Sequence, residues 1–322
     1  MIDAAIVGLG RWGRSFVEAG SGGLRFTHAV EPALDGARDF SARHGLALVE
    51  RLDEVLANPA IDAVVLATPH SLHPQQVLAC AAAGKPVFCE KPLALHLDEA
   101  RSMVEACRAA GVPLAVGHNR RFWPSMRALR RLVADGALGQ VLHVEGHNSN
   151  ENAGAVKGGW RLSPAESPGG GMTGAGLHVL DAFVSLMGPV RRVQARLLSH
   201  KQPPSPLDTV SVLVEFANGT SGLLATVRDT PFYWRVHVFG SKGSAEVLGE
   251  TRLLLHRSGA APELMQLEPT DSLRAELDAF ATTVADGTPY PIPTSDMLAT
   301  VSAFEAVISS IEKDAPCLCD AP

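Results

Sequence analysis

The stretch AAIVGLGRWG, residues 4–13, decides the fold of the N-terminal part of the chain. An apolar run that favours a β-strand leads directly into glycines spaced G-x-G-x-x-G, and a helical stretch follows. In this context the first glycine allows a tight turn, the second lets backbone N–H groups approach a pyrophosphate, and the third lets helix and strand pack closely. The N-terminus of the helix favours the same anion. The sequence therefore predicts a dinucleotide-binding loop formed by Gly8, Leu9, Gly10, Arg11, Trp12 and Gly13.

An acidic residue follows this loop at the spacing typical of dinucleotide-binding folds, about twenty residues. Glu31 ends a second predicted strand, RFTHAVEP at residues 25–32. A carboxylate there accepts hydrogen bonds from an adenosine ribose and repels a 2′-phosphate, so we favour NAD over NADP as the cofactor. Arg11 and Arg14 weaken that preference, because either side chain can reach a phosphate. The alternative for Glu31 is an exposed acid in a turn.

Strands and helices alternate through the first third of the chain. Further strands are predicted in AVVLATP (63–69), PVFCEKP (86–92) and VPLAVGHN (112–119), and helices in SLHPQQVLACAAAG (71–84) and LDEARSMVEACRAAG (97–111). We expect Ser71 to be an N-cap and Gly84 to follow the end of its helix. This alternation predicts βαβ units and a doubly wound parallel sheet of the Rossmann type over residues 1–123.

The pattern changes near Pro124. One helix, PSMRALRRLVADG (124–136), precedes segments in which strands dominate, and Asn218-Gly219 predicts a hairpin. Val210, Val212, Val214 and Phe216 alternate onto one face, while Leu213 lies among polar residues on the other. Residues 201–206, KQPPSP, read as a loop, and a final helix is expected at about 295–312. We therefore predict a second, α+β domain over residues 124–322 with a mostly antiparallel sheet.

Composition excludes several classes of protein. A chain of 322 residues with 46% hydrophobic and 19% charged residues fits two globular domains. Its net charge of −6 and lack of a basic patch argue against nucleic-acid and anionic-membrane partners. With no leader sequence, no membrane-spanning run and cysteines at apolar positions, we expect a cytoplasmic protein. Cys317 with Cys319, and the histidines of HSLH (70–73), lack further ligands nearby, so we expect no metal site.

Three further motifs carry a resemblance to a known family. CEKPLAL (89–95), ATPHSLH (67–73) and GHNRRF (117–122), together with the glycine loop, resemble the glucose-fructose oxidoreductase / inositol dehydrogenase / MocA family over nearly the whole chain. The resemblance implies a Rossmann domain, a second domain with a large open sheet, a nicotinamide cofactor and a substrate related to sugars or polyols. It also implies homodimers or homotetramers formed through the open sheet.

Lys91 is the candidate proton carrier. Oxidation of a secondary alcohol requires a hydride acceptor and a base for the hydroxyl proton, and Lys91 follows a strand of the parallel sheet, where such folds bind ligands. Glu90 either orients Lys91 or caps local backbone. In resembling proteins the loop Thr68, Pro69 and His70, together with His73, borders the nicotinamide ribose. We therefore place all of these residues in the cofactor site.

Four residues are candidates for substrate contact. The family uses the segment of Asn119 and Arg121 around substrate and cofactor, although Arg121 can instead form a structural ion pair. Trp160 and Arg161, in GGWRL, place an aromatic ring beside an arginine, which suits a polyhydroxylated or anionic ligand. The alternative is a structural tryptophan.

One expected acid is missing. The family pattern near the second-domain site is roughly G-G-G-x-L-x-D-x-G-x-H-x-x-D, and GGGMTGAGLHVLD (169–181) matches it at His178 and Asp181 but has Gly174 at the first Asp. In one interpretation Lys91 takes the proton, His178 binds the substrate oxygen, and Gly174 leaves room for a bulkier substrate. In a second, His178 is the main acid and base. In both, Asp181 orients His178 or contacts the substrate.

These residues favour an NAD-dependent oxidoreductase acting on a CH–OH group of a carbohydrate-like, polyol or cyclic diol substrate. The first alternative is a glycosidase or lyase in which tightly bound NAD is reduced and reoxidised within each turnover. The second is a sensor that binds nucleotide and ligand without chemistry. The retained Lys91 and the intact glycine loop argue against the sensor.

Overall fold

The computed structural model describes residues 1–150, 159–199, 208–228 and 230–321. The chain forms two compact units, one of Met1–Asn119 with Asp271–Met297 and one of Arg120–Thr270 with Leu298–Pro322. The domain boundary expected at residues 123/124 differs from this division at residues 120–123 and over Asp271–Met297. The predicted loop at residues 201–206 lies outside the described residues.

The first unit is built on a six-stranded parallel sheet with the strand order β3-β2-β1-β4-β5-β6. Its strands are β1 (Ile2–Val7), β2 (Leu24–Val30), β3 (Ala47–Val49), β4 (Ala63–Leu66), β5 (Val87–Glu90) and β6 (Leu114–Gly117). Its helices before β6 are α1 (Arg11–Ala19), α2 (Arg38–His44), α3 (Leu52–Leu56), α4 (His73–Ala82) and α5 (Leu97–Ala110). This is the doubly wound order of dinucleotide-binding folds, so the predicted Rossmann architecture is confirmed.

The central strands read as continuous apolar runs because helices cover both faces of a parallel sheet. Every residue of β4 and β5 is buried. Strand β3 and helices α2 and α3 were not predicted from the sequence, since β3 has three residues, none fully buried, at the sheet edge. The N-cap predicted at Ser71 was wrong, because Ser71 lies in a 3₁₀ turn (His70–Leu72) that precedes α4. Gly84 does follow the end of α4, with φ +67°.

The second unit contains a nine-stranded sheet with the order β14-β13-β12-β11-β7-β10-β9-β8-β15, antiparallel at every pairing except β7 with β10. The strands are β7 (Val141–Asn150), β8 (Val190–Ser199), β9 (Asp208–Phe216), β10 (Ser221–Arg228), β11 (Tyr233–Gly240), β12 (Gly243–Leu248), β13 (Arg252–Arg257), β14 (Glu263–Gln266) and β15 (Cys317–Leu318). The helices are α6 (Pro124–Ala134) and α7 (Leu177–Met187). The prediction of a mostly antiparallel sheet is confirmed.

One face of this sheet is packed and the other is open. Val210, Val212, Val214 and Phe216 of β9 are all buried, as their alternation predicted, and Phe216 meets Phe183 of α7 with ring centroids 5.9 Å apart. On the opposite face, Leu213 is 55% exposed. The predicted hairpin joins β9 to β10, with Gly219 at φ +85°. No helix in the described part of the chain is long and apolar enough to cross a membrane.

Two helices follow strand β14 in the chain. Helix α8 (Ser272–Asp286) belongs to the first unit and packs against α1, β1 and β2, and α9 (Thr294–Lys313) begins in the first unit and continues in the second. Phe280 of α8 lies against Phe88 of β5, with ring centroids 5.8 Å apart. The sequence analysis did not single out α8, because its apolar residues have no partner in the neighbouring sequence. Its packing explains why Asp271–Met297 joins the first unit.

Helix α8 buries a carboxylic acid. Glu276 has no exposed surface, and neither of its carboxyl oxygens has a hydrogen-bond partner. Burial raises the pKa of Glu276 well above its usual value, and the negative charges of Glu90 and Asp271 raise it further. Burial therefore favours the protonated, neutral form of this side chain.

Glu276 should make stability fall as pH rises. Below about pH 4.5 both the folded and the unfolded chain keep this proton, whereas above it only the folded chain does, so the free energy of unfolding drops by about 1.4 kcal/mol per pH unit. Glu276→Gln removes this dependence, so its stability relative to wild type should rise steadily from pH 5 to pH 8. Urea unfolding across that range measures the difference. Glu18→Gln, at an exposed position of α1, is the control and should track wild type. Parallel curves for Glu276→Gln and wild type would contradict a protonated Glu276.

Candidate active site

The glycine loop has the geometry of a phosphate site. Gly8 has φ +89°, and a Cβ on it would lie 2.7 Å from the carbonyl oxygen of Ala67. A Cβ on Gly13 would overlap the carbonyl oxygen of Gly8, so both positions require glycine. A Cβ on Gly10 would meet nothing within 4 Å, and Gly10 is the N-cap of α1. Open space therefore lies at the positive end of α1, which fits a pyrophosphate.

Glu31 connects the end of β2 to this loop. Its Oε2 accepts a hydrogen bond from Leu9 N at 2.9 Å, and its Oε1 accepts one from Ala33 N at 3.2 Å. A cavity of about 420 Å³ lies just beyond, lined by Pro32, Ala33, Leu34, Asp35, Gly36, Arg38 and Glu50. The end of β2 thus combines an ordered carboxylate with space for a nucleoside.

The two arginines of α1 differ in their contacts. Arg14 donates from Nε to Leu9 O at 2.9 Å and from Nη2 to Gly36 O at 2.6 Å, and its guanidinium lies over the ring of Phe40. Arg11 is exposed and lies over Trp12, 5.1 Å from the ring centroid. Arg14 is therefore held by backbone carbonyls, whereas Arg11 remains at the surface.

Lys91 and Glu90 lie at the carboxyl end of β5. Both are nearly buried, with 8% and 6% of their surfaces exposed, and the Lys91–Pro92 peptide bond is cis. The carboxyl ends of parallel strands lie at the same edge of a sheet, so the loop after β5 adjoins the loop after β4. Lys91 is thus a nearly enclosed lysine at the edge of the sheet that carries the glycine loop.

The loop after β4 is tied down by its own contacts. Thr68 Oγ1 donates to Gln76 Oε1 at 2.6 Å, and His70 is 8% exposed. His73 has no exposed surface, with Nδ1 2.8 Å from Pro92 O and Nε2 3.2 Å from Thr68 O. Farther along the same sheet edge, Asn119 Nδ2 donates to Ser272 Oγ at 3.0 Å. These loops are therefore well ordered around Lys91.

In the second unit, Arg121 and Asp181 form a buried ion pair. Arg121 Nε and Nη2 lie 2.7–3.0 Å from the carboxylate oxygens of Asp181, and the two side chains are 4% and 3% exposed. A planar guanidinium meeting a carboxylate in this way gives a strong, directional contact. The contacts match the structural alternative for Arg121, and each side chain largely neutralises the charge of the other.

His178 lies on α7, three residues before Asp181, and is 7% exposed. It opens on a narrow pocket of about 10 Å³, room for about one water molecule, lined by Arg120, Arg121, Met126, Arg130, His178, Asp181, Ala182 and Ser185. A wide π-type turn, Met172–Gly176, leads into α7. Such turns occur frequently at functional sites.

Gly174 lies in that turn. It is exposed, and a Cβ there would meet nothing within 4 Å. It lies four positions before His178, so the two positions are neighbours on one side of the helical segment. The position can therefore accept a side chain but supplies no acid.

Trp160 and Arg161 also interact as the sequence suggested. They lie in a 3₁₀ turn, and the guanidinium of Arg161 is 4.1 Å from the ring centroid of Trp160. Both side chains are partly exposed. The pair forms a flat surface on the second unit that combines an aromatic ring with a positive charge.

Arg120 is a charged residue that the sequence analysis missed. Its guanidinium lies 5.0 Å, 5.8 Å and 4.3 Å from the ring centroids of Trp123, Phe232 and Trp234. Nη1 is buried without a hydrogen-bond acceptor, and burial lowers the pKa of Arg120 to about 9. Trp123 lies nearby in sequence, but the other two rings come from a region more than a hundred residues away. Only folding brings this aromatic cage together around a positive charge.

No group of three or more His, Cys, Asp and Glu side chains within the described ranges could hold a metal ion. The cysteines described are free thiols. Among the described residues, the two units provide a glycine loop with open space at a helix N-terminus, an enclosed lysine, a histidine and several arginines.

Comparison with protein families identifies the class. Residues 2–118 match the oxidoreductase family with an NAD-binding Rossmann fold, and residues 126–246 match the C-terminal domain of the Gfo/Idh/MocA family. The chain is therefore an oxidoreductase of the NAD-binding Rossmann type. It belongs to the glucose-fructose oxidoreductase / inositol dehydrogenase / MocA family, as the motifs suggested.

Individual relatives and solved structures share modest sequence identity with this chain. Inositol 2-dehydrogenase of Rhizobium meliloti (strain 1021) is 27% identical over 95% of this chain and 96% of its own length. An uncharacterized oxidoreductase of Schizosaccharomyces pombe (strain 972 / ATCC 24843) is 35% identical over 52% of this chain, and that match spans only 45% of the relative. The solved structure of a levoglucosan dehydrogenase with NADH and levoglucosan has a TM-score of 0.90 over 99% of both chains at 20% identity, a likeness of fold.

Two glycine substitutions should separate folding from cofactor binding. Gly13→Ala forces a Cβ against the carbonyl oxygen of Gly8, so we expect a lower melting temperature and lost NAD binding. Gly10→Ala meets no protein atom, so the melting temperature should be unchanged, while NAD affinity falls at least about tenfold because the methyl group occupies the pyrophosphate position. Calorimetry measures both quantities. Equal NAD affinity in Gly10→Ala and wild type would contradict a pyrophosphate at this loop.

Proposed function

We propose that this chain is an NAD-dependent oxidoreductase that transfers a hydride between nicotinamide and a CH–OH or C=O group of a carbohydrate-like, polyol or cyclic diol substrate. One observation carries the proposal. Lys91, only 8% exposed, follows β5 at the carboxyl edge of the sheet that also presents the glycine loop. Ligands of doubly wound folds bind at this edge, so an enclosed lysine there can exchange a proton with a bound substrate.

When bound, NAD supplies the acceptor for the hydride. Lys91 Nζ takes the proton of the substrate hydroxyl as the C–H bond gives up its hydride and the C=O bond forms. In the reverse direction the Lys91 ammonium returns that proton to the carbonyl oxygen. His178 binds or polarises the substrate oxygen as a hydrogen-bond donor, and Glu90 orients the lysine. The alternative in which His178 itself carries the proton is tested below by the same variant.

NAD is the preferred dinucleotide in this proposal. The carboxylate of Glu31 is held at the end of β2, and the adjacent cavity is lined by Asp35 and Glu50 together with Arg38, so acidic groups outnumber the one arginine around a 2′-phosphate. Arg14 is occupied by two backbone carbonyls and is not free to turn towards a phosphate. The loop residues Gly8 to Gly13, together with Thr68, Pro69 and His70, complete the proposed cofactor site, and His73, which has no exposed surface, lies behind this loop and not in contact with the cofactor.

Gly174 and the Trp160–Arg161 pair support the proposed class of substrate. Gly174 leaves open space beside His178, which favours a substrate bulkier than an inositol or a simple hexose. Asn119, Trp160 and Arg161 are proposed around it, and a ring beside a guanidinium suits polyhydroxylated ligands. The buried pair of Arg121 and Asp181 is assigned the structural role of the two alternatives. The relatives include an inositol dehydrogenase and a levoglucosan dehydrogenase, whose substrates fall in the same chemical class.

The open face of the second sheet supports a homodimer or homotetramer. Leu213 and Leu223 are 55% and 43% exposed there, beside a cavity of about 500 Å³ that includes Arg196 and Arg235. Exposed leucines of this kind mark protein–protein surfaces. Light scattering decides the point by giving the mass in solution relative to the 33.9 kDa chain.

Lys91→Ala tests the proposed chemistry. We expect turnover to fall by about 10²–10⁴-fold, the range that general acid–base catalysis supplies, while the dissociation constant for NAD changes little. The assay follows nicotinamide reduction with NAD⁺ and NADP⁺ over polyols, sugars, sugar acids and cyclic dihydrodiols. Lys313→Ala, at an exposed position near the end of α9, is the control.

Each outcome of that assay separates the alternatives. Full turnover in Lys91→Ala would refute its role and favour His178 as the base. Product formation without net NADH, from protein that retains nucleotide through purification, would favour the redox-cycling glycosidase or lyase. Nucleotide and ligand binding without any turnover would favour the sensor.

Gly174→Asp should change the range of substrates. Nothing within 4 Å opposes the new side chain, so we expect the fold to be kept, small polyols to gain and bulky substrates to lose at least about tenfold in relative kcat/KM. Gly174→Asn, nearly equal in size but uncharged, separates the effect of volume from that of the carboxylate. Identical kinetics for all three proteins on every substrate would place residue 174 outside the site.

A further inference from the structure

His73 makes two contacts that its position at the start of α4 does not require. Its ring has no exposed surface, and each ring nitrogen faces a main-chain carbonyl oxygen, Nδ1 at 2.8 Å from Pro92 and Nε2 at 3.2 Å from Thr68. A carbonyl oxygen only accepts hydrogen bonds, so each contact requires an N–H on the ring. The neutral ring carries one N–H and so donates to one of these loops, while its other nitrogen lies against the second.

Those loops lie just past the point where the parallel ladder ends. The pairing of β4 with β5 runs from Val64 with Val87 to Leu66 with Cys89. Beyond it, the backbone near Thr68 and Pro92 has left the ladder, and buried carbonyls there still need donors. The His73 ring contacts the carbonyl oxygens of Pro92 and Thr68. It thereby links the loops that follow β5 and β4 just beyond the end of the ladder.

Pro92 immediately follows Lys91, so the carbonyl that His73 holds is one residue from the lysine backbone. We propose that His73 is a positioning residue for Lys91, which clamps the carbonyls of Pro92 and Thr68 and so fixes where the lysine side chain leaves the sheet edge. This inference rests on the proposed function of Lys91. Since His73 has no exposed surface, it acts through the two loops and not by touching the nicotinamide ribose.

The two contacts are unequal. The neutral ring has one N–H, and with that hydrogen on Nδ1 it holds Pro92 O across the shorter distance of 2.8 Å. The contact to Thr68 O at 3.2 Å is the longer one. The contact to Pro92, next to the lysine, should therefore matter most for catalysis.

Three substitutions separate these contacts. Asn places an amide nitrogen near the position of Nδ1 and can keep the contact to Pro92 O, Gln reaches the position of Nε2 and can keep the contact to Thr68 O, and Leu removes both. A displacement of about 1 Å in a catalytic group costs on the order of 100-fold in rate. We expect kcat to fall by roughly that factor in His73→Leu, by less in His73→Gln and least in His73→Asn. The NAD dissociation constant and KM should stay within about threefold, since the glycine loop and Glu31 are untouched.

Cys80→Ala provides the matched control. Cys80 is also fully buried on α4, but it contacts neither carbonyl in the described structure, so this variant should lose stability while kcat of the folded protein is unchanged. Circular dichroism and melting curves verify folding, and kcat is corrected for the folded fraction. The pH–rate profile adds a further readout, because the limb that disappears in Lys91→Ala should shift in His73→Leu but not in Cys80→Ala.

Several results would overturn the inference. If the three His73 variants lose stability but keep wild-type kcat, the role is structural only. If the NAD dissociation constant rises in step with the loss of kcat, His73 belongs to the cofactor site. Full activity in Lys91→Ala would instead remove the proposed function itself, whereas an inactive Lys91→Ala with a fully active His73→Leu would refute only the positioning role.

Discussion

The close approach of the β1–α1 turn to the end of β4 is the constraint on which the first unit depends. Gly8 lies against the Ala67 carbonyl and Gly13 against the Gly8 carbonyl, so no side chain fits at either position. That contact brings the start of α1 to the edge where the β4 and β5 loops also end. The open space at Gly10, the Glu31 hydrogen bond to Leu9 and the position of Lys91 all lie at this closely packed edge.

The adjacent arginines Arg120 and Arg121 have different electrostatic environments. Arg121 is neutralised by Asp181 in a buried bidentate pair, while adjacent Arg120 is surrounded by aromatic rings and keeps a buried nitrogen without an acceptor. Desolvation of an unpaired cation is expensive, and the lowered pKa of Arg120 reflects this. Such an arrangement is costly for stability alone, and cation–π contacts offset only part of the cost. The pair gives the second unit rigidity, whereas Arg120 gives it an unneutralised positive charge beside His178.

The absence of an acid at Gly174 changes which residues can take the catalytic roles in the proposed reaction. Because Gly174 supplies no carboxylate, the proposal assigns proton transfer to Lys91 and binding of the substrate oxygen to His178. A lysine acting without a nearby family carboxylate depends more strongly on the placement of its own backbone. The buried clamp of His73 on Pro92 O and Thr68 O, and the enclosed Glu90 beside it, are the features of the first unit that can supply such placement.

The sequence by itself determined the parallel sheet, the glycine loop, the acid at Glu31, the hairpin at Asn218-Gly219 and the loss of the acid at Gly174. These features are local, because a turn, a strand or a missing side chain is encoded by residues adjacent in the chain. The edge strand β3, the return of α8 to the first unit, the Arg121–Asp181 pair and the aromatic cage of Arg120 were decided only by the tertiary structure. Each of these features joins residues that are far apart in sequence. Glu276 and His73 are likewise buried only because distant elements exclude water around their side chains, and this burial raises the pKa of Glu276.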